Sequence, residues 1–170
     1  MVQEQISIAQ IFRWLSEIPD PEIPVLSVLD LGIVRNVAYF PGDEEHISNA
    51  TITITPTYSG CPAMDVIGMN IRMALLGRGI GKVNIEQQLS PAWTTDWITE
   101  DGKRKMKEFG IAPPERKSKD IQGLFEEDVV ACPRCGSIHT EMISRFGATS
   151  CKSMYRCMDC KEPFEHFKCH

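Results

Sequence analysis

The chain has 170 residues, of which 42% are hydrophobic and 24% charged, with a formal net charge of −5. Those values suit a soluble globular protein with one ordinary domain and a small satellite. They argue against general nucleic-acid binding, which needs basic surface, and no apolar run approaches the ~20 residues that span a bilayer.

The N-terminal MVQEQISIAQIFRWL lacks the basic start and small-residue cleavage site of a secretory signal, so a cytoplasmic location is expected. Ile8, Ile11, Phe12 and Leu15 repeat at i, i+3, i+4 and i+7 and predict a helix with one apolar face, ended by Pro19 and Pro21. Asp20-Pro21-Glu22-Ile23-Pro24 predicts an extended acidic turn, because residues before proline avoid the helical region. Asp20, Glu22 and Asp30 then read either as a carboxylate cluster or as a solvated turn.

Gly32 divides the branched apolar stretch 25–39 and predicts a strand over 33–40. Pro41 to Glu45 predicts the turn of a hairpin. In the next strand, Ile52 and Ile54 point to the core and the threonines point outward. Residues 64–76 switch to helical spacing, closed by Gly77-Arg78-Gly79, and 82–89 predicts a third strand with Val83 and Ile85 inward. A loop carrying Trp93 and Trp97 leads into a helix over 98–109. The two tryptophans read equally as a contact surface and as core. Residues 112–128 hold two prolines, many charges and no usable period, which is the signature of a linker.

The predicted fold class is α+β: a small mixed sheet packed with helices over 1–111, then a small β module over 129–170. The modules also differ in charge. Residues 1–99 carry five basic and eleven acidic side chains, and residues from 129 onward carry six and four.

Six of the seven cysteines fall between positions 132 and 169. In a reducing compartment such clusters point to metal or catalysis rather than disulfides. Cys132-Pro133-Arg134-Cys135 and Cys157-Met158-Asp159-Cys160 are two Cys-x-x-Cys pairs 21 residues apart. Each pair lets two thiolates converge from a tight turn, and together they supply a tetrahedral set for one ion. This is the zinc-ribbon pattern, with strands predicted at 140–146 and 153–156 and positive φ expected at Gly136. Zinc is preferred over a rubredoxin-like iron site, since four-thiolate zinc commonly folds small modules with little core. His139 and His166 are expected to be packing or surface residues, because four thiolates complete the site. Cys151, Cys169 and His170 remain as a second site, a redox pair, transient ligands for another metal, or packing residues and a frayed tail.

Cys61 stands apart, in Thr55-Pro56-Thr57-Tyr58-Ser59-Gly60-Cys61-Pro62, between a strand and a helix. Pro62 suits a first helical turn, which places Cys61 at or beside the N-cap. There the dipole and amide groups favour a thiolate. A small core residue and a reactive or metal-handling thiol are equal readings. The residues suggest no Ser-His-Asp set, phosphate-binding glycine loop or zinc-protease motif.

DPEIPVLSVLDLGIV (20–34), TPTYSGCPAMDVI (55–67) and SPAWTTDWIT (90–99) together resemble the SufT-like iron–sulfur assembly family. The ribbon, with TSCKSMYRC and EPFEHFKCH, resembles that of the PaaD family of aerobic phenylacetate degradation. The resemblance implies an assembly domain whose signature cysteine is Cys61 and whose acidic motif includes Asp20 and Glu22. It implies a non-catalytic factor that matures iron–sulfur or other metal centres of the phenylacetyl-CoA epoxidase system, with transient iron or cluster binding. Cys151 and Cys169 are further candidates for cluster or client handling. The implied partners are epoxidase subunits, including the iron–sulfur flavoprotein reductase, with a homodimer left open. A stoichiometric accessory or electron-carrying subunit is the alternative, and a nucleic-acid-binding ribbon a weaker one, given a C-terminal charge of only +2 from six basic and four acidic residues.

Overall fold

The structure is a computed structural model that describes residues 6–115 and 129–168. Cys169, His170 and most of the expected linker lie outside the described residues. The chain divides into two compact units, Met1–Thr99 and Glu100–His170.

In the first unit, α1 (Ile8–Leu15) starts at Ser7 with a capping box: Ser7 Oγ accepts from the Gln10 N–H, and Gln10 Oε1 from the Ser7 N–H. Its buried face is narrower than expected. Ile11 and Leu15 are buried, whereas Ile8 and Phe12 are 47% and 41% exposed. β1 (Val34–Phe40) and β2 (Asn49–Ile54) form the expected hairpin, and β2 runs parallel to β3 (Lys82–Gln87) through α2 (Ala63–Leu76). Ile52 and Ile54 point into the core as expected, but Thr55 is also buried, and its hydroxyl has no hydrogen-bond partner.

The acidic turn is not a solvated one. Asp20 is buried, and its Oδ1 accepts the Glu22 and Ile23 N–H groups at 2.9 and 2.8 Å. Asp30, also buried, holds the Ser27 N–H and hydroxyl on Oδ2 at 2.8 and 2.9 Å. Each carboxylate therefore folds its own stretch of backbone. Gly32 adopts φ +65, and a Cβ there would lie 2.3 Å from the Trp97 carbonyl oxygen. Trp93 is core, with its indole N–H on the Leu31 carbonyl at 2.9 Å. Trp97 is half-buried under the Arg35 guanidinium, 3.5 Å from the ring centroid. The residues expected to begin the third helix at 98 instead follow a 3₁₀ turn, Thr95–Trp97, capped by the Thr94 hydroxyl.

In the second unit, α3 (Glu100–Phe109) leads to β4 (Ile111–Ala112), which pairs parallel with β7 (Pro163–Phe167). The sheet order is β4-β7-β6-β5, with β5 Thr140–Ser144 and β6 Lys152–Cys157. Residues 100–112 group with the ribbon, because Ile111 and Ala112 extend its sheet opposite Glu165 and His166. β7 was not anticipated from the sequence, since Pro163 and the alternating Glu165 and His166 disguise a strand whose Phe164, His166 and Phe167 are buried.

Candidate functional site

Two places in the structure hold the cysteines that the sequence singles out, and among the described residues only the first groups enough ligands for a metal ion. The first lies at one end of the β5–β6–β7 sheet. Cys132 and Cys135 sit on one turn, and Cys157 and Cys160 on another that follows β6. The turns repeat the same geometry. The Cys132 N–H bonds the Ser137 carbonyl, and the Cys157 N–H bonds the Glu162 carbonyl, both at 2.9 Å. After the second cysteine of each turn the backbone enters the left-handed region, at Gly136 (φ 76) and at Lys161 (φ 66). Glycine takes this conformation without strain, as expected for Gly136. Lysine takes it at a cost of roughly 1 kcal/mol.

All four Sγ atoms lie within 4.8 Å of one another, with Cys132–Cys160 at 3.7 Å and Cys135–Cys157 at 3.6 Å. A tetrahedral ion with metal–sulfur bonds of about 2.3 Å separates its ligands by about 3.8 Å, so the donor set fits such an ion. Cys132 and Cys157 are buried and Cys135 and Cys160 exposed. The N–H of Cys160, at 3.5 Å from Cys157 Sγ, and that of Asp159 hold the Cys157 thiol down to about 6. Cys160 is pushed up to about 12: the Glu162 N–H favours its thiolate, but local loss of hydration and the three neighbouring sulfurs outweigh it. Four sulfurs this close cannot all ionise without a cation among them.

Around the sulfurs, Asp159 accepts from Ser137 Oγ at 2.5 Å and meets His139 Nδ1 at 3.2 Å. Ser137 foremost, then His139, keep its carboxyl below the usual range. His139 is therefore an exposed partner of Asp159 and does not join the four sulfurs. His166 is buried against the Tyr155 ring, at 5.6 Å between centroids.

Cys151 does not join the four either. It precedes β6 at the end opposite Cys157, buried, with Sγ 3.0 Å from Thr149 Oγ1. Next to it lies a buried ion pair that no local pattern in the sequence announces: Lys152 Nζ to Glu165 Oε2 at 2.7 Å, with the Lys152 side chain only 4% exposed. Glu165 Oε1 also accepts the Ala148 N–H at 2.9 Å.

The second place is the start of α2. Pro62 occupies the N-cap in helical conformation, so Cys61 stands one residue before it, as expected. The Cys61 carbonyl takes the Met64 N–H at 3.3 Å, and Gly60 turns the chain with φ 79. Cys61 is half-buried in a cleft of about 330 Å³, lined also by Ser59, Gly60, Met64, Asp65, Gln87 and Leu89. Asp65 was legible as a residue of the first helical turn. Gln87 and Leu89 were not, because only the parallel register that sets Gln87 beside Ile54 brings the end of β3 to this loop. Asp20 and Glu22 do not line the cleft.

Residues 8–86 match the family described as iron–sulfur cluster assembly protein, and residues 116–168 match the PaaD zinc beta ribbon domain. The chain is 48% identical over 160 residues to an Escherichia coli protein named as a subunit of 1,2-phenylacetyl-CoA epoxidase, covering 94% of this chain and 92% of that protein. It is 37% identical over 92 residues to an "Fe-S protein maturation auxiliary factor" of Porphyromonas gingivalis, covering 54% of this chain and 82% of the other. A crystal structure of a domain of unknown function (DUF59) from Bacillus anthracis shares the fold, with TM-score 0.51, 22% identity, and coverage of 58% of this chain and 89% of that one. Among the described residues no helix is long and apolar enough to cross a membrane.

Proposed function

Since the chain belongs to the PaaD family, an iron–sulfur cluster assembly domain joined to a PaaD zinc ribbon, we propose that it is a non-catalytic maturation factor for a metal centre of the phenylacetyl-CoA epoxidase system. The client is an iron–sulfur protein of that system, the flavoprotein reductase being the first candidate. Cys61 handles iron or a cluster transiently. Cys132, Cys135, Cys157 and Cys160 hold a structural zinc that folds the ribbon as a docking module. The observation that carries this reading is the separation of roles. The four ribbon sulfurs form a closed set that leaves no open position for chemistry, whereas Cys61 sits in an open cleft at a helix start.

The test is Cys61→Ser in the full chain, produced together with the reductase, with iron and acid-labile sulfide measured on the purified reductase. Cluster content is expected to fall while the variant keeps its own ribbon metal. Unchanged cluster content removes Cys61 from the mechanism.

The E. coli relative carries the name of an epoxidase component, which favours a second reading, an accessory protein that stays in the complex. Omitting the protein from an epoxidase assay with fully loaded partners separates the two. Sustained turnover supports maturation, and lost turnover supports the resident component.

A further inference from the structure

The two Cys-x-x-Cys turns are tied to the sheet unequally. The second turn lies between β6 and β7, which hold it from both sides. The first is followed by β5 and preceded by residues 129–131, which belong to no strand. Thr140 pairs with Cys157, and the Met158 N–H donates to the His139 carbonyl at 2.8 Å, so the β5–β6 ladder runs one residue into the second turn. From there side chains join the turns.

They do so twice, with the same spacing. In each turn the residue before the exposed second cysteine reaches across to the residue two places past the exposed cysteine of the other turn. Asp159, before Cys160, accepts from Ser137 Oγ at 2.5 Å. Arg134, before Cys135, places Nη1 3.2 Å from Glu162 Oε1. Ser137 and Glu162 are also the residues whose carbonyls take the Cys132 and Cys157 N–H groups and so close the two turns. Each strap therefore fastens one turn to the closing residue of the other.

The straps differ in strength. The Arg134 and Glu162 side chains are 67% and 43% exposed. An ion pair between long, exposed side chains contributes little and is screened by salt. At Asp159 the contacts converge. The Ser137 hydroxyl donates to Oδ2, His139 Nδ1 lies 3.2 Å from Oδ1, and Ser137 Oγ takes the His139 N–H at 3.0 Å. A hydroxyl–carboxylate bond this short is charge-assisted and roughly twice as strong as a neutral one. Both side chains are short, so holding them costs little rotamer freedom.

We infer that Asp159 is a positioning residue of the four-cysteine site, which locks the less anchored first turn to the second and so sets how slowly the site opens. This rests on the reading of Cys132, Cys135, Cys157 and Cys160 as a structural metal site. With the turns locked, the two exposed cysteines, Cys135 and Cys160, cannot part easily. The ion is then retained as part of the fold rather than exchanged with a client.

The test uses the full chain loaded with one equivalent of zinc and challenged with excess chelator. The first-order rate of release is read with a metal-binding dye, with circular dichroism before the challenge as folding control. Asp159→Ala is expected to release about 10–100 times faster than wild type, the range over which side chains around metal ligands act. Asp159→Asn is expected to stay within about fivefold of wild type, because its amide oxygen still accepts from Ser137 Oγ. Ser137→Ala is expected to release at least about tenfold faster, and Arg134→Ala less than about fivefold faster, with the difference lost at high salt. In the cobalt(II)-loaded chain, Asp159→Ala is expected to keep the wild-type absorption bands, because Asp159 acts on the turns and does not touch the ion. Should Asp159→Ala fail to load, the Ser137→Ala rate decides alone. Asp159→Ala or Ser137→Ala as slow as wild type, Asp159→Asn as fast as Asp159→Ala, or altered cobalt bands would each overturn the inference. A wild-type chain that takes up no metal instead overturns the reading of the four cysteines, and the inference with it.

Discussion

Removing the metal from the four-cysteine site is expected to unfold residues 129–168 while leaving the Met1–Thr99 unit folded. The apolar cluster beside the sulfurs consists of Ala112, Val130, Cys132, Tyr155, Cys157 and Phe164, and two of these six belong to the four-cysteine set. Full burial of Val130, Tyr155 and Phe164 contributes about 1.5–3 kcal/mol each, or roughly 5–9 kcal/mol together. A structural zinc contributes about 10–16 kcal/mol at neutral pH, so the ion outweighs the cluster that surrounds it. The assay is a ¹H–¹⁵N correlation spectrum of the full chain before and after chelation, with residue assignments. Amides of 129–168 are expected to collapse to unfolded shifts and those of the first unit to stay dispersed, with recovery on adding zinc. Ribbon amides that remain dispersed in metal-free protein would refute the argument that the ion supplies the folding energy.

Other outcomes follow from single contacts. Cys160→Ser is expected to lower metal affinity sharply and Cys151→Ser to leave metal stoichiometry at one, read by elemental analysis, because only the former sulfur belongs to the set of four. Acidification is expected to release the metal, since each ligand must lose a proton to bind. As pH falls Cys160, pushed up to about 12, takes a proton first, and Cys157, held down to about 6, takes one last, so affinity measured by a zinc-competition dye falls steadily with decreasing pH. Glu165→Leu leaves the Lys152 charge buried without its carboxylate and is expected to cost about 3–5 kcal/mol, with much of that recovered in Lys152→Met/Glu165→Leu; a denaturant double-mutant cycle reads the difference. Thr55→Val removes a buried hydroxyl that has no partner and is expected to be neutral or to stabilise by up to about 1 kcal/mol, whereas Asp20→Ala strips two backbone N–H groups of their acceptor and is expected to cost about 2–3 kcal/mol in urea titrations.

The four clustered cysteines, the positive φ of Gly136 and the helix start beside Cys61 were all legible in the linear chain. Each depends on chemistry or spacing within a few residues: two Cys-x-x-Cys pairs, a glycine after a thiolate, a proline at a helix entrance. The hairpin, α2 and the third strand were legible for the same reason, since period two and period 3.6 are local properties. Burial was less legible. Ile8 and Phe12 share a helix face with Ile11 and Leu15, but only the packing of α1 decides that two of the four stay exposed. Asp20 and Asp30 look like surface acids, and their burial follows from the backbone N–H groups they satisfy.

Local spacing thus picks out the four-cysteine cluster and the identity of most of the elements, whereas the grouping of residues 100–112 with the ribbon sheet and the cleft come from long-range pairing. Two residues, Ile111 and Ala112, add a strand to the ribbon sheet and carry α3 with them, a pairing with partners more than fifty positions away. The parallel register of β2 and β3 brings Gln87 to the loop that holds Cys61. Contacts of that kind are fixed by strand pairing across long chain separations, and no period or motif within either segment encodes which partner it will meet.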